Sequence, residues 1–143
     1  MTPTVAELRA DSADMVVCAM AVPCPERTAF AISLSDRLFD RCRTPCEALL
    51  IPALAIWAAV SGGTVRCQEH LRPFGRVGFL IEHPKFRQPL VIECDRVRRT
   101  VARDQALQAA GYAVCRLAIA DGKPGVIDAL DQAFEAITAA RLH

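Results

Sequence analysis

The stretch from Pro89 to Ile119 restricts the fold more than any other. An apolar run, PLVIEC, gives way to TVARDQALQAAGY and then to a second apolar run, YAVCRLAI. The outer pieces read as strands; between them the period changes to that of a helix, with Thr100 placed to cap it and Gly111 to stop it. Upstream, TVRCQ and RVGFLIE are two more strand candidates, set apart by the Pro- and charge-rich loops EHLRPFG and HPKFRQ. Downstream, Val126, Leu130, Phe134 and Ile137 recur at three- and four-residue spacing, which predicts a final helix. From residue 44 the expected order is α-β-β-β-α-β-α. The fold class is therefore α/β, a mixed central β-sheet flanked by helices on both faces.

The first helix of that order begins at TPCE. Thr44 can cap it, Pro45 suits the first helical position and Glu47 completes a capping box. The apolar ALLIPALAIWAAV then carries the helix to about residue 61, where SGG ends it, with Pro52 an awkward interior residue and Trp57 a core side chain. Residues 1–43 form an N-terminal extension with two β-like runs, MVVCAMAV and TAFAISL, joined by PCPER. Its prolines suit a turn, so an N-terminal β-hairpin is expected, then a short helical turn over SDRLFDRCR. Residues 1–143 are read as a single domain with a core large enough to fold unaided.

The net charge of +1 excludes a strong global field, but the charge is unevenly placed. Residues 1–65 carry 5 basic and 7 acidic groups, residues 66–103 carry 9 and 4, and residues 104–143 carry 3 and 5. The middle of the chain is the basic part. The 7 cysteines are odd in number and several lie in apolar runs, which points to reduced, unmetallated thiols in an intracellular, cytoplasmic protein. Cys67 with His70, and Cys42 with Cys46, match no standard zinc spacing. The N-terminus lacks the basic leader of a signal peptide, and ALLIPALAIWAAV falls short of the ~20 residues a membrane span needs.

The basic segment contains LVIECDRVRR. On a strand Glu93 and Asp95 share a face, and two adjacent carboxylates resist ionising together unless a cation compensates them. Mg²⁺ is the natural partner: it takes carboxylate oxygens, activates water and neutralises charge on a phosphate. The arginines that follow could hold nucleic-acid phosphates. The plain alternative is a strand end carrying solvated ion pairs. His83, just past RVGFLIE, reads as a surface side chain before a general base.

Taken together, TPCE, VRCQ, VGFLI, IECDRVRR and RDQALQAAGYAVCR resemble, in order, the motifs of the restriction-endonuclease-like PD-(D/E)XK superfamily, and most closely its very-short-patch-repair-endonuclease-like branch. The resemblance covers about residues 44–134. It implies an Mg²⁺-dependent endonuclease in which Glu93, Asp95 and Glu47 are catalytic and bind the metal, while Arg96, Arg98, Arg99 and Arg103 contact DNA. Arg103 and Asp104 match the start of the following helix. Three positions depart from the pattern: Gly78 stands where the central metal-binding aspartate falls, Arg96 replaces the signature glycine, and Arg99 replaces its histidine. Glu82 cannot substitute at position 78, being two residues away on the same face and ~13 Å along an extended strand.

Three functions follow from this reading. One is a DNA endonuclease. The second is a catalytically inactive nuclease fold that binds DNA weakly and without sequence preference. The third is a protein-interaction module whose N-terminal hairpin edge pairs with another chain, a homodimer included.

Overall fold

The computed structural model describes residues 4–20, 24–94, 101–117 and 123–141. It is an α/β structure of five helices and a four-stranded mixed sheet. The chain forms two compact units, Met1–Val65 and Arg66–His143.

The first unit is helical: α1 (Val5–Met20), α2 (Pro25–Arg41) and α3 (Pro45–Ser61), each packed against the other two. The expected N-terminal β-hairpin is thus replaced by two helices. The apolar runs were too short to fix their period, and local helix signals decide it. Thr4 and Glu7 close a reciprocal capping box, each backbone N–H donating to the other's side chain at 3.2 Å. Pro25 occupies the first turn of α2, where its missing N–H costs nothing, and Ala31, Leu34, Leu38 and Phe39 form the helix's buried face. Ser12 and Ser35 satisfy each other inside the α1–α2 contact at 3.2 Å. Arg9 bridges the same helices, reaching Asp36 at 3.3 Å and Asp40 at 3.0 Å above the Phe39 ring.

The bounds of α3 are those its caps dictate. Thr44 Oγ1 accepts the Glu47 N–H at 3.2 Å, Glu47 Oε1 accepts the Arg43 N–H at 2.9 Å, and Gly62 closes the far end in the left-handed conformation (φ 80°). Leu50, Ile51, Leu54, Ala55 and Ala58 are buried along it, and Pro52 sits within. Among the described residues no helix is long and apolar enough to cross a membrane.

The second unit holds most of β1 (Thr64–Leu71), then β2 (Gly75–Glu82), β3 (Leu90–Cys94), α4 (Val101–Ala109), β4 (Ala113–Leu117) and α5 (Lys123–Arg141). The strands lie in chain order, β1-β2-β3-β4. β2 and β3 are antiparallel, with Phe79 opposite Ile92, whereas β3 and β4 are parallel, with Glu93 in register with Arg116. A parallel neighbour needs a crossover, and α4 supplies it. Gly111 (φ 101°) makes the return, and the Tyr112 N–H donates back to the Leu107 carbonyl at 3.0 Å.

Strand alternation sorts the two helices to opposite faces of the sheet. Leu107 of α4 is fully buried in a cluster with Leu80 and Val91, against which Val114 packs. Cys115, one residue on, meets the Gln132 carbonyl of α5 instead. Glu93 and Arg116 share parity with Val91 and Val114, so they lie on the α4 side.

Candidate site at Gly78 and Glu93

The β2–β3 register, taken one step beyond the Phe79–Ile92 pair, sets Gly78 opposite Glu93. Gly78 has no side chain to obstruct the neighbouring strand, and the Glu93 carboxylate reaches across to it. Its Oε2 accepts the Gly78 N–H at 3.2 Å in a buried setting. Glu93 is buried, its side chain only 8% exposed, and an isolated carboxylate there would carry a heavy desolvation cost. A cation answers it: Arg103, from the first turn of α4, brings Nη2 to 3.3 Å from Oε1.

Arg103 is itself anchored. Its Nη2 donates to the Arg76 carbonyl on β2 at 2.8 Å. It meets Glu93 through Nη2 alone, and Nε is buried with no hydrogen-bond partner among the described residues. The next residue, Asp104, accepts two bonds from Arg116, at 3.1 Å from Nε and 2.7 Å from Nη2. Two charges adjacent in sequence on α4 thereby reach two opposite charges in register on neighbouring strands. Among the described residues Glu93 thus faces Arg103, and Asp104 faces Arg116.

The predicted site residues fall into three groups. Glu93 and position 78 are brought together, and Arg103 joins them facing inward. Asp95, Arg96, Arg98 and Arg99 lie outside the described residues. Glu47 belongs to the first unit, where it is 3% exposed and caps the start of α3 by accepting the Arg43 N–H, one residue before the N-cap. His83 shapes its own turn, Nδ1 accepting the Lys85 N–H at 3.0 Å with the ring tilted against Phe86. Cys24, Cys42, Cys46, Cys67, Cys94 and Cys115 carry no disulfide. Burial pushes the Cys42 thiol up from 9.0 to about 11, and its Sγ–H donates to the Thr44 carbonyl at 3.3 Å.

The Arg103–Glu93 and Asp104–Arg116 pairs are what sequence reasoning missed. A signal existed: Arg116 is the single charge in the strand YAVCRLAI, and a charge in such a run needs a partner. Asp104 was the acid of a helix due to pack on that strand.

A Mg²⁺ ion asks for several oxygen ligands in near-octahedral order. Among the described residues no three His, Cys, Asp or Glu side chains converge to hold a metal. At Gly78 both Glu93 oxygens already face positive or donor groups, and Asp104 is turned to Arg116. Asp95, the other strand acid of the predicted metal set, lies outside the described residues. Compared with family models, curated proteins and solved structures, the chain matches none.

Proposed function

We propose that the chain is a restriction-endonuclease-like, DNA-binding protein in which the nuclease fold serves as a nucleic-acid-binding module. One observation carries the reading: position 78 and Glu93, which the resemblance assigns to the acids of one metal site, are neighbours on β2 and β3, with 3.2 Å between the Gly78 nitrogen and Glu93 Oε2. The element order from α3 to α5 supports the same assignment. With Gly78 in place of an acid, what remains for DNA is the basic middle of the chain.

Binding would be dominated by phosphate contacts from Arg96, Arg98 and Arg99. Phosphate-dominated affinity falls steeply between ~50 and ~200 mM salt, and each lost contact lowers the salt slope by about 0.9 on duplex DNA. The test is a filter- or fluorescence-binding series with mixed-sequence duplex over that range. The triple variant Arg96→Ala/Arg98→Ala/Arg99→Ala should bind more weakly and lose about 3 from the slope. No binding at low salt, or binding indifferent to salt, overturns the reading. Plasmid nicking that depends on Mg²⁺ and is abolished by Glu93→Ala would instead establish the endonuclease.

A further inference from the structure

We infer that the β1–β2 turn is a second phosphate-contacting element, in which Arg72 and Arg76 extend the basic surface that holds DNA. The inference rests on the proposed DNA binding and adds to it which further cations meet the duplex and which do not.

The selection starts from the 9 basic groups of residues 66–103. Two have an acid beside them: Arg66 lies 3.6 Å from Glu69, and Arg103 lies 3.3 Å from Glu93. Arg96, Arg98 and Arg99 belong to the segment already proposed to meet phosphate. Arg72, Arg76, Lys85 and Arg87 are left, and all of them are exposed. Topology divides them into two pairs. β2 runs from Gly75 to Glu82, so Arg76 stands at its start, while Lys85 and Arg87 lie in the connection beyond its far end. The strand from Arg76 to His83 spans roughly 23 Å at the rise of an extended chain. β3 runs antiparallel to β2, so its last residue, Cys94, returns to the Arg76 end. α4 starts there as well, since Arg103 in its first turn donates through Nη2 to the Arg76 carbonyl at 2.8 Å. The chain therefore leaves β3 and enters α4 beside the β1–β2 turn. Arg72 and Arg76 are exposed at the end of the sheet where the arginine-rich segment begins and ends; Lys85 and Arg87 are exposed at the other.

The turn also holds its arginines on a fixed backbone. Arg72, Pro73 and Phe74 connect the two strands, and Gly75 closes the turn at a φ of 84° that favours glycine. Phe74 points inward and packs against the core cluster that includes Leu71, Val77 and Leu80. The arginines stand on either side of this anchor, one before it and one after, with their side chains in solvent. A backbone already ordered by an inward aromatic has less freedom to lose when a phosphate is engaged. The guanidinium fork matches phosphate oxygens, and a lysine at either position would keep the charge without the fork.

The experiment compares salt slopes of mixed-sequence duplex binding, measured on the full chain between ~50 and ~200 mM salt. Arg72→Ala/Arg76→Ala removes two contacts and should lower the slope by about 1.8, with the wild-type Tm retained because both side chains are exposed. Arg72→Lys/Arg76→Lys should keep the slope, since each phosphate still meets one positive charge. Lys85→Ala/Arg87→Ala removes the same formal charge at the far end of β2 and should leave the slope at the wild-type value. If the alanine pair does not fold, Arg72→Gln/Arg76→Gln gives the same readout. A slope unchanged in Arg72→Ala/Arg76→Ala, or one lowered equally in Lys85→Ala/Arg87→Ala, overturns the inference. The first of these results beside a slope that falls in Arg96→Ala/Arg98→Ala/Arg99→Ala leaves the proposed DNA binding standing without this element. A wild-type chain that does not bind at low salt removes both.

Discussion

Arg116 and Asp104 meet through two parallel hydrogen bonds, 3.1 and 2.7 Å long, that tie the C-terminal end of β4 to the first turn of α4. Paired forks of this kind are among the stronger ionic contacts, and each side chain here is less than a quarter exposed. Arg116→Ala should cost about 1–2 kcal/mol in urea unfolding. A double-mutant cycle with Asp104→Ala should return a coupling of about 1 kcal/mol. Additive single losses would mean that the contact contributes nothing of its own.

Gly78→Asp is expected to destabilise the protein in EDTA by about 1–3 kcal/mol, since it sets a second carboxylate against Glu93. Gly78 lies in extended β2 and is not among the left-handed glycines, so the cost is electrostatic before it is conformational. Protonating the crowded acids relieves the repulsion. The gap to wild type should therefore narrow as pH falls, and Mn²⁺ should raise the Tm of this variant more than that of wild type. A variant equal in stability to wild type at neutral pH would place the two side chains apart.

Glu47 acts at the N-terminus of α3 by capping. Thr44→Ala should cost about 1 kcal/mol and Glu47→Ala a similar amount, both measurable by urea unfolding in EDTA. The same loss in EDTA and in Mg²⁺ is the expected result. A Glu47→Ala loss seen only with metal present would assign this acid to a metal site.

Cys42 gives the alkaline side of the stability curve. Its thiol holds its proton more tightly folded (about 11) than at the ordinary 9.0, so the unfolded chain releases that proton first. The stability linked to it is fully present below pH 9 and is lost as pH rises toward 11. Cys42→Ser should flatten that decline in a pH series of urea midpoints. In wild type at neutral pH the Cys42 thiol should react slowly with alkylating reagents, as the protonated form predominates.

The sequence made α3 and everything after it legible because each of those elements combines a period with a stop. Thr44 and Glu47 bracket the start of α3, Gly111 ends α4, and the strand runs are bounded by Pro-rich loops. The N-terminal forty residues misled because MVVCAMAV and TAFAISL are too short for period alone to decide. The Thr4–Glu7 box and the Ala31, Leu34, Leu38 spacing were the better guides. At the site, the meeting of Gly78 and Glu93 follows from strand order. The inward turn of Arg103 did not, because whether an arginine beside a strand faces a phosphate or a buried acid depends on which charge lacks compensation once the sheet is assembled.

The Gly78 amide, donated to a buried carboxylate, turns one backbone proton into a spectroscopic probe. Its cross-peak falls in the glycine region of an amide spectrum, and because the N–H donates to Glu93 Oε2 its chemical shift and its exchange with solvent should respond to the charge on that carboxylate. Fraying of α4, replacement of Arg103 or entry of a foreign ion would each register there. An interior charge cluster that is otherwise silent in solution can thus be followed at a single resolved resonance, residue by residue and without any assay of function.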